Sequence, residues 1–186
     1  MIVICDIDGC LFDPRELIQK YASEEEIACP KCEGGYITNF PITRPCSYCK
    51  GLGKIKKRKW NWKTYFEHTL EMPGILSIQI LVKDLILTGH TVYFLTGRPE
   101  SNREFTIKQL QSNVVYHIGD TQLVMRQNGN TAQTIEQKLD FYKAKKPDLI
   151  IEDEPRVVKA ATLLGFTVLQ VHGYRITEED DVPDGY

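Results

Sequence analysis

The chain has 186 residues, 42% of them hydrophobic, enough for one sizeable core with a small appendage but not for two full domains. A formal charge of -2 excludes a generally basic coat for polyanions, so any cationic footprint has to be local. The longest apolar stretch, ILSIQILVKDLIL, is interrupted by Gln79, Lys83 and Asp84 and falls short of the ~20 residues a membrane span needs, so no membrane partner is expected.

In chain order, IVIC at residues 2–5 reads as a buried strand. It carries no export signal, which points to a soluble cytoplasmic protein whose six cysteines bind metal or pack in the core instead of forming disulfides. The strand ends in Asp6-Ile7-Asp8-Gly9. On a straight strand, residues i and i+2 share one face but a turn at Gly9 is what lets both carboxylates and their backbone address one pocket beyond the strand end. PRELIQKYASEEE, 14–26, reads as a helix with Asp13 as cap and Pro14 in the first turn. A cysteine module at 29–53 follows, then the basic and aromatic KIKKRKWNWK and a second helix over NWKTYFEHTLE. Residues 29–63 hold nine Lys or Arg against one acid, Glu33.

Beyond residue 71, strands are expected at 91–96, 122–125, 148–151 and 167–171, with helices at 75–88, 100–112, 132–145 and 155–164. Strand and helix in alternation predict an α/β, Rossmann-like parallel sheet flanked by helices. The core would comprise 1–13 and 72–175, with 14–71 a small cap inserted after strand one and 176–186 an acidic, solvated tail.

In such sheets, reacting groups gather at the carboxyl ends of the strands. Those ends carry Asp6 and Asp8, then Thr96-Gly97-Arg98-Pro99, then Glu152-Asp153-Glu154. Acids brought together this way repel unless a divalent cation neutralises them, and all-oxygen donors favour magnesium.

CDIDGC, FLTGRP, Lys138 and LIIEDE, in this order, resemble the four signatures of the haloacid dehalogenase superfamily of phosphotransferases. The resemblance implies that Asp6 is the nucleophile, forming an aspartyl phosphate, and that Asp8 is the acid/base. It also implies magnesium held by the Asp6 carboxylate, the Asp8 carbonyl and Asp153, with Glu152 nearby, while Thr96 and Lys138 hold the transferring oxygens. Gly97 would present its amide at the start of the next helix. Cys10 stands where the family has Thr or Ser.

TGRPESNRE, LVMRQNGNT and IIEDEPRVVKAATLLGFTVLQV are similar to the phosphatase half of the phage polynucleotide kinase/phosphatases, as is WNWKTYFEHTLEMPGI, although Glu152 replaces an aspartate common there. That likeness implies a phosphorylated nucleic-acid end as substrate, with a 3′-phosphate favoured. Arg98 and Arg126 are then either phosphate clamps or members of surface ion pairs. No nucleotide-binding P-loop occurs in the sequence, so kinase activity is not expected from it.

Cys29/Cys32 and Cys46/Cys49 form two C-x-x-C knuckles thirteen residues apart, each followed by glycines. Four thiolates so spaced can close a tetrahedral zinc site, which would fold a segment too small for its own core. The pattern resembles the zinc modules of co-chaperones. Trp60, Trp62 and the lysines around them either stack on bases and hold phosphates or pack the insert beside a solvated face. Two alternatives stay open: a phosphatase for nucleotides or other small phosphates, and a zinc-containing nucleic-acid adaptor without catalysis. The sequence carries no sign of oligomeric state.

Overall fold

The computed structural model describes residues 1–39, 42–115, 122–127 and 134–172, without the side chains of 22–25, 38–39, 42, 56–60, 62 and 134. The chain divides into two compact units, Met1–Lys20 with Lys63–Tyr186, and Tyr21–Trp62. The tail at 176–186, the residues just ahead of 134 and the side chains of Trp60 and Trp62 lie outside the description.

The chain starts on β1 (Ile2–Asp6), buried from Val3 onward. A tight loop follows, in which Gly9 donates to the Phe12 carbonyl at 2.8 Å and Leu11 to the Ile7 carbonyl at 2.9 Å. Helix α1 (Arg15–Tyr21) comes next. Asp13 caps it by accepting from the Arg15 amide at 3.1 Å, and Pro14 provides the first helical carbonyl to Ile18 at 2.9 Å.

The helix expected to run through residue 26 stops at Tyr21. Residues 22 onward form β2 (Ala22–Ala28), antiparallel to β5 (Lys54–Trp60), with a hairpin of β3 (Tyr36–Asn39) and β4 (Ile42–Pro45) between them. The register sets positions Glu24, Glu25 and Glu26 opposite Arg58, Lys57 and Lys56. Within a single helix the three successive acids would not each have a complement, since only Glu24 has a cation one turn back, Lys20. An antiparallel ladder provides one, and opposite charges across a ladder favour pairing. Local propensity yields to tertiary pairing here.

The expected helix over 61–71 is split into α2 (Trp62–Glu67) and a 3-10 turn, Thr69–Glu71. Helix α3 (Leu76–Leu87) leads to β6 (Thr91–Pro99), a further 3-10 turn at Glu100–Asn102 and α4 (Arg103–Asn113). The chain continues through β7 (Leu123–Arg126), α5 (Thr134–Lys145), β8 (Leu149–Glu152), α6 (Pro155–Leu163) and β9 (Val168–Gln170).

The five core strands are parallel in the order β7-β6-β1-β8-β9. Their hydrophobic runs suit burial on both faces. Ile4, Leu95 and Ile150 meet Tyr142 of α5 with Val157 and Ala161 of α6, and Phe141, Phe166 and Val168 pack around them. Strand order reverses beside β1: β6 and β7 lie to one side, β8 and β9 to the other. Such a switch point opens a crevice at the carboxyl ends of the flanking strands, where open α/β sheets bind ligands. Asp6 ends β1 and Glu152 ends β8, so the acids expected to act together sit on the two strands bordering that crevice.

Candidate functional site

Asp6 is the last residue of β1 and is 7% exposed. Its Oδ1 accepts from Lys138 Nζ at 3.1 Å. The carboxylates of Asp6 and Asp153 and the Cys10 thiol place one ligand atom each within 4.8 Å of one another. The close approach depends on Gly9, which has φ +83° and lies so near Asp153 that a Cβ would stand 2.2 Å from Oδ2. Any other residue there would displace the carboxylate and strain the backbone.

Burial pushes the Asp6 carboxyl up to about 7, with Lys138 opposing and Glu152 and Asp8 adding to the rise. Burial, then the charges of Asp6 and Glu152, hold Asp153 well above the usual carboxylate range. Burial and the neighbouring Asp153 likewise push the Cys10 thiol up, so it stands as a neutral group 3.9 Å from Asp153 Oδ1. Two hard oxygen donors in a concentrated negative field fit a divalent cation of the magnesium type; a neutral sulfur is not a donor such an ion selects.

Glu152 is turned away from this group. Fully buried, it accepts from Lys138 Nζ at 2.8 and 3.1 Å, from the Tyr142 hydroxyl at 3.1 Å and from the Glu154 amide at 3.2 Å. Lys138 therefore bridges Asp6 and Glu152. Burial alone would lower the lysine, but those two carboxylates raise it well above its ordinary range. Tyr142 was not anticipated, although it follows Lys138 by four residues on α5, the spacing that puts two side chains on one helix face.

Asp8 lies two residues past the strand end, with 21% of its side chain exposed. Arg98 meets it side-on, Nε to Oδ2 at 2.9 Å and Nη2 to Oδ1 at 2.6 Å. Arg98 itself has no exposed surface, and its Nη1 donates to Gln109 Oε1 at 2.8 Å and to Thr106 Oγ1 at 3.2 Å. The guanidinium thus sits in an internal network centred on Asp8. A slip in register between Leu95 and Pro99 accompanies the inward placement of Arg98, the re-aiming that irregularities near functional sites commonly produce.

Thr96, 4% exposed, accepts from the Arg98 amide at 3.2 Å through its hydroxyl. Gly97 lies within β6, which continues to Pro99, so the expectation of an amide at a helix start is corrected: the next helical turn opens only at Glu100. Arg126 closes β7, half-buried beside Pro99, and its side chain has no ion-pair partner among the described residues. Thr106 and Gln109 escaped the sequence reading because buried polar residues on a helix look like a solvated face until the packing is known.

In the smaller unit, Cys29, Cys32, Cys46 and Cys49 come together in a group that can hold a metal such as zinc. The Cys29–Cys46 and Cys32–Cys49 sulfurs are 3.9 and 3.5 Å apart. These separations exceed the ~2.05 Å of a disulfide. They bracket the edge of about 3.8 Å expected of a tetrahedron with metal–sulfur bonds near 2.3 Å. The knuckles are joined reciprocally: Cys29 donates its amide to the Gly53 carbonyl at 2.9 Å and Cys46 to the Gly35 carbonyl at 2.7 Å. A Cβ at Gly35 would lie 2.2 Å from the Gly51 carbonyl oxygen, so glycine is required for this approach. The Gly53 amide donates to Cys49 Sγ at 3.3 Å and, against the effect of burial, helps lower that thiol to about 7.

Two solved structures share this fold. One is of a Pnkp1/Rnl/Hen1 complex and the other of the Pnkp1/Rnl/Hen1 RNA repair complex, each matched with a TM-score of 0.54 at 19% sequence identity. The matches cover 91% of this chain and 45% and 42% of the respective neighbours, so the chain spans less than half their length. No protein-family model matches the sequence, and no curated protein does. Among the described residues, no helix is long and apolar enough to cross a membrane.

Proposed function

We propose that the protein is a magnesium-dependent phosphomonoesterase of the haloacid dehalogenase type, acting on phosphorylated nucleic-acid ends with 3′-phosphates as the preferred substrate. The observation that carries the reading is the meeting of the Asp6 and Asp153 carboxylates at the strand ends, with Lys138 bonded to Asp6. The polymer is favoured by the run of basic residues in the insert and by the fold shared with components of an RNA repair complex.

Asp6, Asp153 and the Asp8 carbonyl are the groups to hold magnesium, which when bound offsets the charge between the attacking carboxylate and the phosphate. An Asp6 oxygen forms a bond to phosphorus as the bond to the ester oxygen breaks, and Asp8 supplies the proton taken by the leaving alkoxide. Asp8 then accepts a proton from water, whose oxygen attacks phosphorus while the Asp6–phosphorus link breaks and inorganic phosphate departs. Lys138 orients Asp6 and holds a transferring oxygen. The Thr96 hydroxyl, already accepting from Arg98, retains its own proton to donate to another. Arg98 acts on the reaction through Asp8. Arg126, at the end of β7, is the cation assigned to the substrate backbone. Zinc on the four cysteines folds the inserted unit.

A panel of 3′- and 5′-phosphorylated oligonucleotides and mononucleotides, assayed with and without magnesium, tests this. The expected result is magnesium-dependent phosphate release, fastest from 3′ ends, with oligonucleotide affinity falling steeply as salt rises. Preference for mononucleotides, insensitive to salt, would select the small-molecule alternative. Absence of turnover on every ester would leave the adaptor reading.

A further inference from the structure

We infer that Gln109 is a positioning residue for Asp8, a role that rests on the phosphatase reading above. Gln109 is 1% exposed and spends both ends of its amide inside the protein. Its Oε1 accepts from Arg98 Nη1 at 2.8 Å, and its Nε2 donates to the Thr69 carbonyl in the 3-10 turn that precedes α3. This orientation is forced. Reversing the amide would set its NH2 against the guanidinium and its oxygen against a carbonyl, two repulsions in place of two bonds.

The guanidinium is planar, so fixing one of its nitrogens fixes the direction of the opposite edge. Gln109 and Thr106 hold Nη1, and the Nε/Nη2 edge is thereby aimed at the two oxygens of Asp8. Around them, Thr106 Oγ1 also donates to the Asn102 carbonyl at 3.0 Å, and Thr69 Oγ1 to the Phe66 carbonyl at 3.1 Å, so the frame to which Gln109 ties Arg98 is itself bonded. A network with every member satisfied sets a single geometry, and removing one member releases it.

The readout that separates positioning from general packing is sensitivity to the leaving group. A proton donor matters most for a poorly departing alkoxide, such as the ribose oxygen of a 3′-phosphate, and least for a nitrophenolate that leaves as an anion. The quantity kcat/KM reports the steps up to departure of the alcohol. In Gln109→Met, kcat/KM is expected to fall about 10-fold or more on a 3′-phosphorylated oligonucleotide and less than about 3-fold on p-nitrophenyl phosphate, the loss lying in kcat. Thr106→Val, which removes the other acceptor of Nη1 at little change in shape, is expected to show the same bias with a smaller loss. Thermal unfolding accompanies both, and if Gln109→Met does not fold, Thr106→Val carries the test. Equal losses on the two substrates would overturn the inference while leaving the phosphatase reading in place. A wild-type protein that hydrolyses neither ester would remove that reading first, and this one with it.

Discussion

Lys138 is the residue on which most of the buried charge depends. Its ammonium faces Asp6 and both oxygens of Glu152, and all three side chains are nearly or fully buried. Burying ions is costly, and removing one partner leaves the others uncompensated. Lys138→Met is therefore expected to destabilise the metal-free protein by about 3 to 5 kcal/mol, and adding Glu152→Gln to recover part of that loss. Denaturant unfolding of the two variants checks this, and a Lys138→Met protein within about 0.5 kcal/mol of wild type would refute it. Which residues gather at the strand ends was readable one by one, since D-x-D-G, the Thr at the end of a later strand and the acidic cluster each close an apolar run. The direction of each side chain was not. Glu152 and Asp153 are adjacent in sequence, yet one faces Lys138 and Tyr142 and the other faces Asp6. Arg98, read as a clamp or a surface ion-pair member, lies wholly inside, because a β6 that continues to Pro99 carries it inward.

Among the elements, the core strands were legible because burial on both faces demands continuous Val, Ile and Leu, and those runs stand out from their flanks. The segment at 22–28 was not, since its composition suits a helix and only the distant β5 makes it a strand. Pairing of residues far apart leaves no local signature. The cysteine knuckles lie at the other extreme, with ligand spacing and glycines both written in a short stretch. With thiols taking the place of a hydrophobic core, metal removal should act on this unit first. After chelation, the amides of Cys29 and Cys46, bonded to Gly53 and Gly35, are expected to lose protection from hydrogen exchange, while those of Ile4 and Ile150 in the parallel sheet keep theirs. Unchanged protection at Cys29 and Cys46 in metal-free protein would show that the module folds without an ion.

Across the molecule, a near-neutral chain places eight Lys or Arg against four acids in the Tyr21–Trp62 unit, and gathers Asp6, Asp8, Glu152, Asp153 and Glu154 at the ends of β1 and β8. On the reading proposed above, the two parts answer different demands: an anionic site for a hard cation, and local cationic charge for a phosphorylated polymer. The parallel sheet supplies the first by placing separate strand ends at one switch point. In the proposed reaction, Asp6 takes the phosphoryl group. The most direct test of this step is to mix the protein with magnesium and a 3′-phosphorylated oligonucleotide, quench in acid and locate covalent phosphate by peptide mass spectrometry. One phosphoryl group is expected on the peptide containing Asp6, absent without magnesium and absent in Asp6→Asn. Undiminished phosphate release by Asp6→Asn would contradict that role.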